Sequence, residues 1–131
     1  MASVLVKPKS GHKYQLEITA GKHTVICDQP SSAGGSDGGP DPKELLLASL
    51  GACAAQTILM VAPQRGWDIQ ELSITVSYSK SGGQETYTED IEVKGNLTQA
   101  ELDAIKRIGE KCPVMRAFTG TKTVNASITK T

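Results

Sequence analysis

The sequence has no excess of charge of either sign. Its 131 residues include 14 Lys or Arg and 14 Asp or Glu, so the formal net charge is zero. A nucleic-acid-binding protein typically needs a surplus of basic side chains facing the phosphates, and this composition therefore argues against a nucleic-acid partner. The length is near that of a typical compact domain, and we expect residues 1–131 to form a single one.

A long uninterrupted apolar run is lacking as well. The first eight residues include Lys7 and no apolar stretch of the kind that forms the centre of a signal peptide. The longest apolar stretch, residues 45–55, is short and contains Ser49 and Gly51, so we expect it not to span a bilayer. These features predict a cytoplasmic protein without a membrane partner.

The three cysteines, Cys27, Cys53 and Cys112, show no CxxC spacing. An odd number of cysteines without compact spacing does not fit the disulfide framework of a small secreted domain. In a reducing compartment such thiols are either buried and inert or exposed to a reaction partner and reactive. The spacing alone leaves both interpretations open.

Alternating apolar residues predict strands in three regions of the chain. Residues 14–27 and 72–94 each read as a β-hairpin, and residues 124–128 read as a last strand. The glycine- and proline-rich residues 29–41 predict a loop, either a lid over a site or a solvated connector. With two helices placed between the strands, the order β-β-α-β-β-α-β predicts an α+β fold with a largely antiparallel sheet.

The first predicted helix is apolar on nearly every face. Asp41 suits its N-cap, Pro42 its first position and Glu44 its first turn, and Pro63 or Gly66 would end it. A helix that is apolar all round must be buried all round, but a two-layer fold covers only one of its sides. We therefore predict an obligate homodimer with this helix near the interface.

One mildly polar stripe runs along that helix. Ser49, Cys53, Gln56 and Thr57 share a face, and Gly51 with neighbouring alanines leaves room for another element to approach closely. The stripe fits a site around a reactive Cys53. On spacing alone, the stripe favours a tightly packed core helix in which Cys53 acts as a small apolar residue.

The second helix opens with a capping box, Thr98 to Glu101, and breaks before Cys112. Pro113 suits the first position of a further helical turn, which would make Cys112 its N-cap. The partial positive charge of a helix N-terminus lowers the pKa of a thiol placed there, and Arg116 offers a positive charge four residues on. A plain helix-to-loop junction would explain the same residues.

Residues 36–53, Ser-Asp-Gly-Gly-Pro-Asp-Pro-Lys-Glu-Leu-Leu-Leu-Ala-Ser-Leu-Gly-Ala-Cys, followed by Cys112-Pro-Val, resemble the osmotically inducible protein C/organic hydroperoxide resistance (OsmC/Ohr) family, in its OsmC-like branch. The resemblance covers nearly the whole chain in length and element order. It implies an OsmC-like fold and an intertwined homodimer with two active sites at its interface. It also implies a thiol peroxidase without a cofactor, in which Cys53 is the peroxidatic and Cys112 the resolving cysteine.

The mechanism that the resemblance implies runs through both cysteines. Cys53 attacks an organic hydroperoxide and becomes a sulfenic acid, Cys112 condenses with it to a disulfide, and an external dithiol such as a lipoyl group reduces the disulfide. Lys43 stands where well-characterised members have a glutamate. Glu44 lies nine residues before Cys53, about 13.5 Å along a straight helix, and therefore cannot touch it. Lys43, Arg116 or a cation of the partner subunit is left to stabilise the Cys53 thiolate.

Three further interpretations compete with the peroxidase. A non-catalytic member of the same fold would bind an apolar small molecule at the dimer interface, which the absence of any arginine before Arg65 favours. A metal site would use His23 and Cys27, with His12, but these ligands lack compact spacing. An interaction module with inert thiols predicts that Cys53 and Cys112 lie too far apart to bridge, with Cα atoms beyond about 7 Å.

Overall fold

The computed structural model describes residues 2–131, which form antiparallel sheets and helices in an α+β arrangement, as predicted. The elements are β1 Leu5–Pro8, β2 Leu16–Ala20, β3 His23–Cys27, α1 Pro42–Arg65, β4 Glu71–Ser81, β5 Gln84–Lys94, α2 Gln99–Glu110 and α3 Pro113–Thr119, with a 3-10 turn at Ser31–Ala33. The chain divides into two compact units, one ending at Ala48 and one spanning Ser49–Thr131.

The first unit contains a three-stranded antiparallel sheet in the order β1-β2-β3. The predicted hairpin is confirmed: Ala20 pairs with His23, and Gly21 adopts the positive φ of 61° that a two-residue turn requires. Strand β1, which pairs Leu5 with Thr19, was not predicted. It has only four residues, too few for alternation to be recognised.

The loop after β3 is organised by one buried carboxylate, that of Asp28. It accepts hydrogen bonds from Gln15 Nε2 at 3.1 Å, the Gln29 backbone N–H at 2.7 Å and the Gly38 backbone N–H at 3.0 Å. The backbone N–H of Asp28 in turn donates to the Pro40 carbonyl at 3.1 Å. The two ends of the loop and its middle are thereby tied to a single residue.

Two glycines of this loop lie where a side chain would collide with backbone. A Cβ atom at Gly35 would stand 2.1 Å from the Gln29 carbonyl oxygen, and one at Gly39 would stand 2.5 Å from that of Ile26. These glycines therefore permit close packing within the first unit. This role favours the connector over the hinged lid for residues 29–41.

Helix α1 begins with a capping box, which confirms Asp41 as its N-cap. The Glu44 carboxylate accepts from the Asp41 backbone N–H at 3.0 Å, and the Asp41 carboxylate accepts from the Glu44 N–H at 2.8 Å. Pro63 lies inside the helix. The helix ends at Arg65, and Gly66 follows with a left-handed φ of 67°, as helix termini often require.

By length and composition alone, α1 could cross a membrane. It has 24 residues, and its most apolar 18-residue window has a mean hydropathy of 2.0, with 22% of that window buried. The apolar character continues beyond residues 45–55 toward the end of the helix. The core helix of a soluble protein meets the same criterion. Leu59 and Met60 leave 53% and 69% of their surfaces exposed.

The second unit contains the β4–β5 hairpin and a small core. Ser81 pairs with Gln84 across a two-residue turn in which Gly82 and Gly83 both have positive φ, the geometry that suits a twisted hairpin. The buried core residues come from α1, the segment after it and α2: Ile58, Ala62, Trp67 and Ile105. The predicted turn and the capping box of Thr98 and Glu101 at the start of α2 are confirmed.

The predicted last strand is wrong. Residues 121–131 have no regular secondary structure, and Val124 and Ile128 are almost fully exposed. Alternation shows which side chains of a segment share a face. A strand also needs an edge that accepts its backbone hydrogen bonds, and alternation does not identify that edge.

Candidate active site

Cys53 lies at the middle of α1, half-buried, where a strand passes close to the helix. A Cβ atom at Gly51 would stand only 3.0 Å from Val76 Cγ2 of β4. The close approach expected from the small residues around Cys53 is therefore confirmed. The Thr57 hydroxyl, one turn further on, donates to the Cys53 carbonyl at 2.8 Å.

Cys112 is the N-cap of α3, as predicted, and is completely buried. Its Sγ accepts a hydrogen bond from the Met115 backbone N–H at 3.3 Å. Helix α3 lies against the hairpin through Phe118, whose ring meets the Tyr87 ring edge-on with centroids 4.7 Å apart. This contact holds the helix that begins at Cys112 against β5.

The side chain of Cys53 is close enough to Cys112 to raise the pKa of its thiol, and no disulfide links them. Elements far apart in sequence, α1 and the start of α3, thus bring together the two thiols that the resemblance had paired. The inert-module interpretation expected the two thiols to be too far apart to bridge, and the effect of Cys53 on Cys112 argues against it.

Burial raises the pKa of the Cys112 thiol. The Met115 N–H opposes this rise, while the hydrogen bond and charge of Cys53 and the charge of Glu89 add to it. The prediction that the helix N-terminus would lower the pKa of Cys112 was therefore wrong, because desolvation outweighs one backbone donor. The raised pKa favours the protonated form of Cys112.

Sequence reasoning missed Glu89. It lies on β5, half-buried, and its Oε1 atom is buried without a hydrogen-bond partner among residues 2–131. Burial and the nearby charge of Glu110 raise the pKa of Glu89. A signal was available in the alternation of β5: Glu89 has the parity of Tyr87, Ile91 and Val93, so it belongs to the face that packs inward.

The three supporting residues chosen from the sequence lie near the ends of helices. Glu44 is engaged in the capping box with Asp41, and Lys43 is partly buried in the first turn of α1. Arg116 is exposed in the last turn of α3. The charged side chain that acts on Cys112 is Glu89, so its sign is opposite to that of the expected cation.

His23 and Cys27 are the first and last residues of β3. His23 is exposed and Cys27 is buried. Burial raises the pKa of the Cys27 thiol, and the carboxylates of Asp41 and Asp28 raise it further. A thiol of this kind is poorly reactive. Within residues 2–131, no group of three or more His, Cys, Asp or Glu side chains is arranged to hold a metal ion.

The family model for OsmC-like proteins matches residues 34–127, so the chain belongs to the OsmC-like family. No curated protein matches the sequence. Solved structures share its fold. An OsmC-like protein from Mycoplasma pneumoniae has a TM-score of 0.77 and 19% identity, with 92% of this chain and 88% of that chain covered.

Two other similar structures carry names that refer to organic hydroperoxides. The organic hydroperoxide resistance protein OsmC of Legionella pneumophila has a TM-score of 0.62 and 24% identity, with 90% of each chain covered. The organic hydroperoxide resistance protein OhrB of Bacillus subtilis has a TM-score of 0.58 and 22% identity, with 92% of this chain and 91% of that chain covered. At these identities the likeness shows the shared fold.

Proposed function

We propose that the protein is a thiol-dependent peroxidase that reduces organic, lipid-like hydroperoxides to alcohols in defence against oxidative stress. Cys53 is the peroxidatic cysteine and Cys112 the resolving one. The observation that carries the proposal is the interaction between two unbridged thiols, in which Cys53 contributes to the raised pKa of Cys112. Because burial disfavours the ionised form of Cys112, we assign the attack on the peroxide to Cys53.

The reaction uses the two sulfur atoms in turn. The Cys53 thiolate attacks the distal peroxide oxygen, the O–O bond breaks, and the other oxygen takes a proton from solvent and leaves as the alcohol. Cys53 is then a sulfenic acid. The Cys112 sulfur attacks the Cys53 sulfur, the S–O bond breaks, and the oxygen leaves as water. An external dithiol, such as a lipoyl group, reduces the resulting disulfide by exchange, and the cycle requires no cofactor.

The names of the Legionella and Bacillus proteins support the choice of organic hydroperoxides as substrates. We further propose a cytoplasmic homodimer of one OsmC-like domain per chain. The exposed apolar side chains Leu59 and Met60 on α1 support this, since a second copy of the chain would cover them.

A titration of the reduced protein with cumene hydroperoxide tests the proposal, with Cys53→Ser and Cys112→Ser as companion variants. We expect the wild type to lose two of its three thiols to a Cys53–Cys112 disulfide. Cys112→Ser should stop with Cys53 oxidised, and Cys53→Ser should not react. Mass spectrometry of the cysteine-containing peptides reads out all three results, and Cys27 serves as the internal control.

Survival of all three thiols in excess peroxide would instead favour the binding protein. One feature supports that alternative: a half-open cavity of about 710 Å³ lies between β5 and α2, with Ile91, Val93, Leu102 and Ile105 among its lining residues. Its volume is in the range of small-molecule sites. A fluorescent apolar probe such as anilinonaphthalene sulfonate should then bind the reduced protein, and Leu102→Glu should weaken that binding.

A further inference from the structure

Glu89 has a carboxylate oxygen without any hydrogen-bond partner among the described residues. Oε1 is buried. An unpaired buried carboxylate is costly, and each such group calls for a specific explanation. The position of Glu89 offers one, because its charge acts on Cys112, the thiol that also interacts with Cys53.

Glu89 lies beside the residue that donates a hydrogen bond to Cys112. It lines a cavity of about 210 Å³ together with Met115, whose backbone N–H is bonded to Cys112 Sγ. From α2, Lys106 and Glu110 also line this cavity, and their mutual ion pair of 3.7 Å is mostly exposed to solvent. From β5 itself, Tyr87 is the other titratable lining residue.

We infer that Glu89 is a positioning residue for the proton of Cys112: its carboxylate keeps Cys112 a thiol while Cys53 is reduced and accepts the proton when Cys112 attacks oxidised Cys53. The inference rests on the proposed function for its second half. The first half states that the charge of Glu89 keeps Cys112 protonated, and this does not depend on any reaction with peroxide.

The proton transfer completes the balance of the second chemical step. As the sulfur–sulfur bond forms, the Cys112 proton passes to Glu89, and the S–O bond of the Cys53 sulfenic acid breaks. Glu89 then releases that proton to the departing oxygen, which leaves as water. The carboxylate is regenerated, so no additional acid or base is consumed.

The raised pKa of Glu89 suits this role, since a carboxylate with a higher pKa is a stronger base toward a thiol. Glu89 also acts on Cys112, because its negative charge contributes to the raised pKa of that thiol. Cys112 is therefore kept from competing with Cys53 for peroxide. The interaction of Glu89 with Cys112 therefore makes Cys53 react first and Cys112 second.

The first test uses a background that cannot turn over peroxide. In Cys53→Ser, the reaction of Cys112 with a small thiol reagent, methyl methanethiosulfonate, is followed peptide by peptide from pH 6 to 10. Adding Glu89→Gln should move the midpoint for Cys112 to lower pH. Adding Glu92→Gln, the same change on the outward face of β5, should leave it in place. An unmoved midpoint in Glu89→Gln overturns the inference.

The second test separates the two chemical steps in the otherwise unchanged protein. Sulfenic acid formation on Cys53 is measured by dimedone trapping, and disulfide formation by rapid acid quench and mass spectrometry. Glu89→Gln should leave the first rate within about twofold but slow the second about tenfold or more, in the range of general acid–base effects. It should also remove the loss of rate at acid pH that protonation of Glu89 causes in the wild type.

An unchanged pH profile and an unchanged second rate in Glu89→Gln would show that Glu89 takes no part in resolution. A wild type that forms no sulfenic acid would instead refute the peroxidase proposal, and the midpoint of Cys112 would still decide whether Glu89 controls its proton. Thermal unfolding of each variant shows whether the fold is intact, and Glu92→Gln again provides the comparison.

Discussion

At the scale of single residues, the pKa of a thiol depends more on its burial and on neighbouring charges than on its position in a helix or strand. Cys112 sits at a helix N-cap, where the helix end would stabilise a thiolate, yet burial and the neighbouring negative charges raise its pKa. The N-cap position could be predicted from Pro113. The inward position of Glu89 could be predicted from the alternation of β5, but its effect on Cys112 and the burial of that thiol could not, because they depend on elements remote in sequence.

Asp28 is the residue whose replacement should destabilise the first unit most clearly. Desolvation opposes its ionisation, but hydrogen bonds from the Gln15 side chain and from backbone N–H groups outweigh it, so the pKa of Asp28 is lowered. A lowered pKa in the folded state stabilises the fold above the unfolded value, about 3.9, and this stabilisation is lost as the pH falls through the folded value. Asp28→Asn should therefore lower the melting temperature at pH 7 by roughly 5 °C.

The difference between Asp28→Asn and the wild type should shrink as the pH falls below 4, and melting curves recorded from pH 2.5 to 7 would show it. Asp37→Asn is the matched control. It changes an exposed carboxylate in the same loop at a positive φ of 53°, a conformation that asparagine also adopts readily. Equal losses in both variants would mean that Asp28 has no special role.

At the scale of elements, the short helix α3 depends on its contacts with the hairpin. It has only seven residues, too few to be stable alone, and its Phe118 contacts Tyr87. Tyr87 in turn meets Tyr78 with centroids 5.0 Å apart. These rings position the helix that begins at Cys112, so a change at Phe118 should reach the thiol pair.

Phe118→Ala should therefore slow the formation of the Cys53–Cys112 disulfide. We expect it to cost about 1 kcal/mol of unfolding free energy from the lost ring contact, plus part of the buried ring area. Urea denaturation measures the first effect and disulfide formation after peroxide the second. Val114→Ala, a truncation of a more exposed side chain on α3, is the control. A fast disulfide in Phe118→Ala would show that α3 is held by other contacts.

Local patterns predicted the elements that are specified by neighbouring residues. The two hairpins have glycines at their turns, and α1 and α2 have capping boxes, so each carries its own boundary signal. Strand β1 was too short to recognise, and α3 was foreseen only as a single turn after Pro113. The expected strand near Val124 failed because its formation depends on a partner edge, which no local pattern describes.

At the scale of the whole molecule, the apolar surface of α1 needs a cover. A long helix with exposed side chains such as Leu59 and Met60 is unusual on a monomer. A second copy of the chain is the cover that we propose. A lipid bilayer is the other environment in which a helix of this length and composition is stable.

Met60→Glu should therefore shift the protein from dimer to monomer. A carboxylate at a site that is 69% exposed in the single chain is tolerated there, but it would be costly to bury against a partner. Light scattering during size-exclusion chromatography at several concentrations measures the mass. Gln64→Glu adds the same charge at an exposed position of α1 and should leave the dimer intact. A monomeric wild type, or one that sediments with lipid vesicles, would contradict the proposed dimer.

The loop at residues 29–41 has a consequence for how the sequence can vary. Loops usually accept substitutions and insertions more readily than helices and strands. Here Gly35 and Gly39 stand against backbone atoms, and Gly38 would bring a Cβ atom to 2.2 Å from the Gln15 side chain. A library of variants across this loop should thus lose folded protein at these positions as readily as at buried core positions, and a segment that looks permissive would behave as a conserved part of the scaffold.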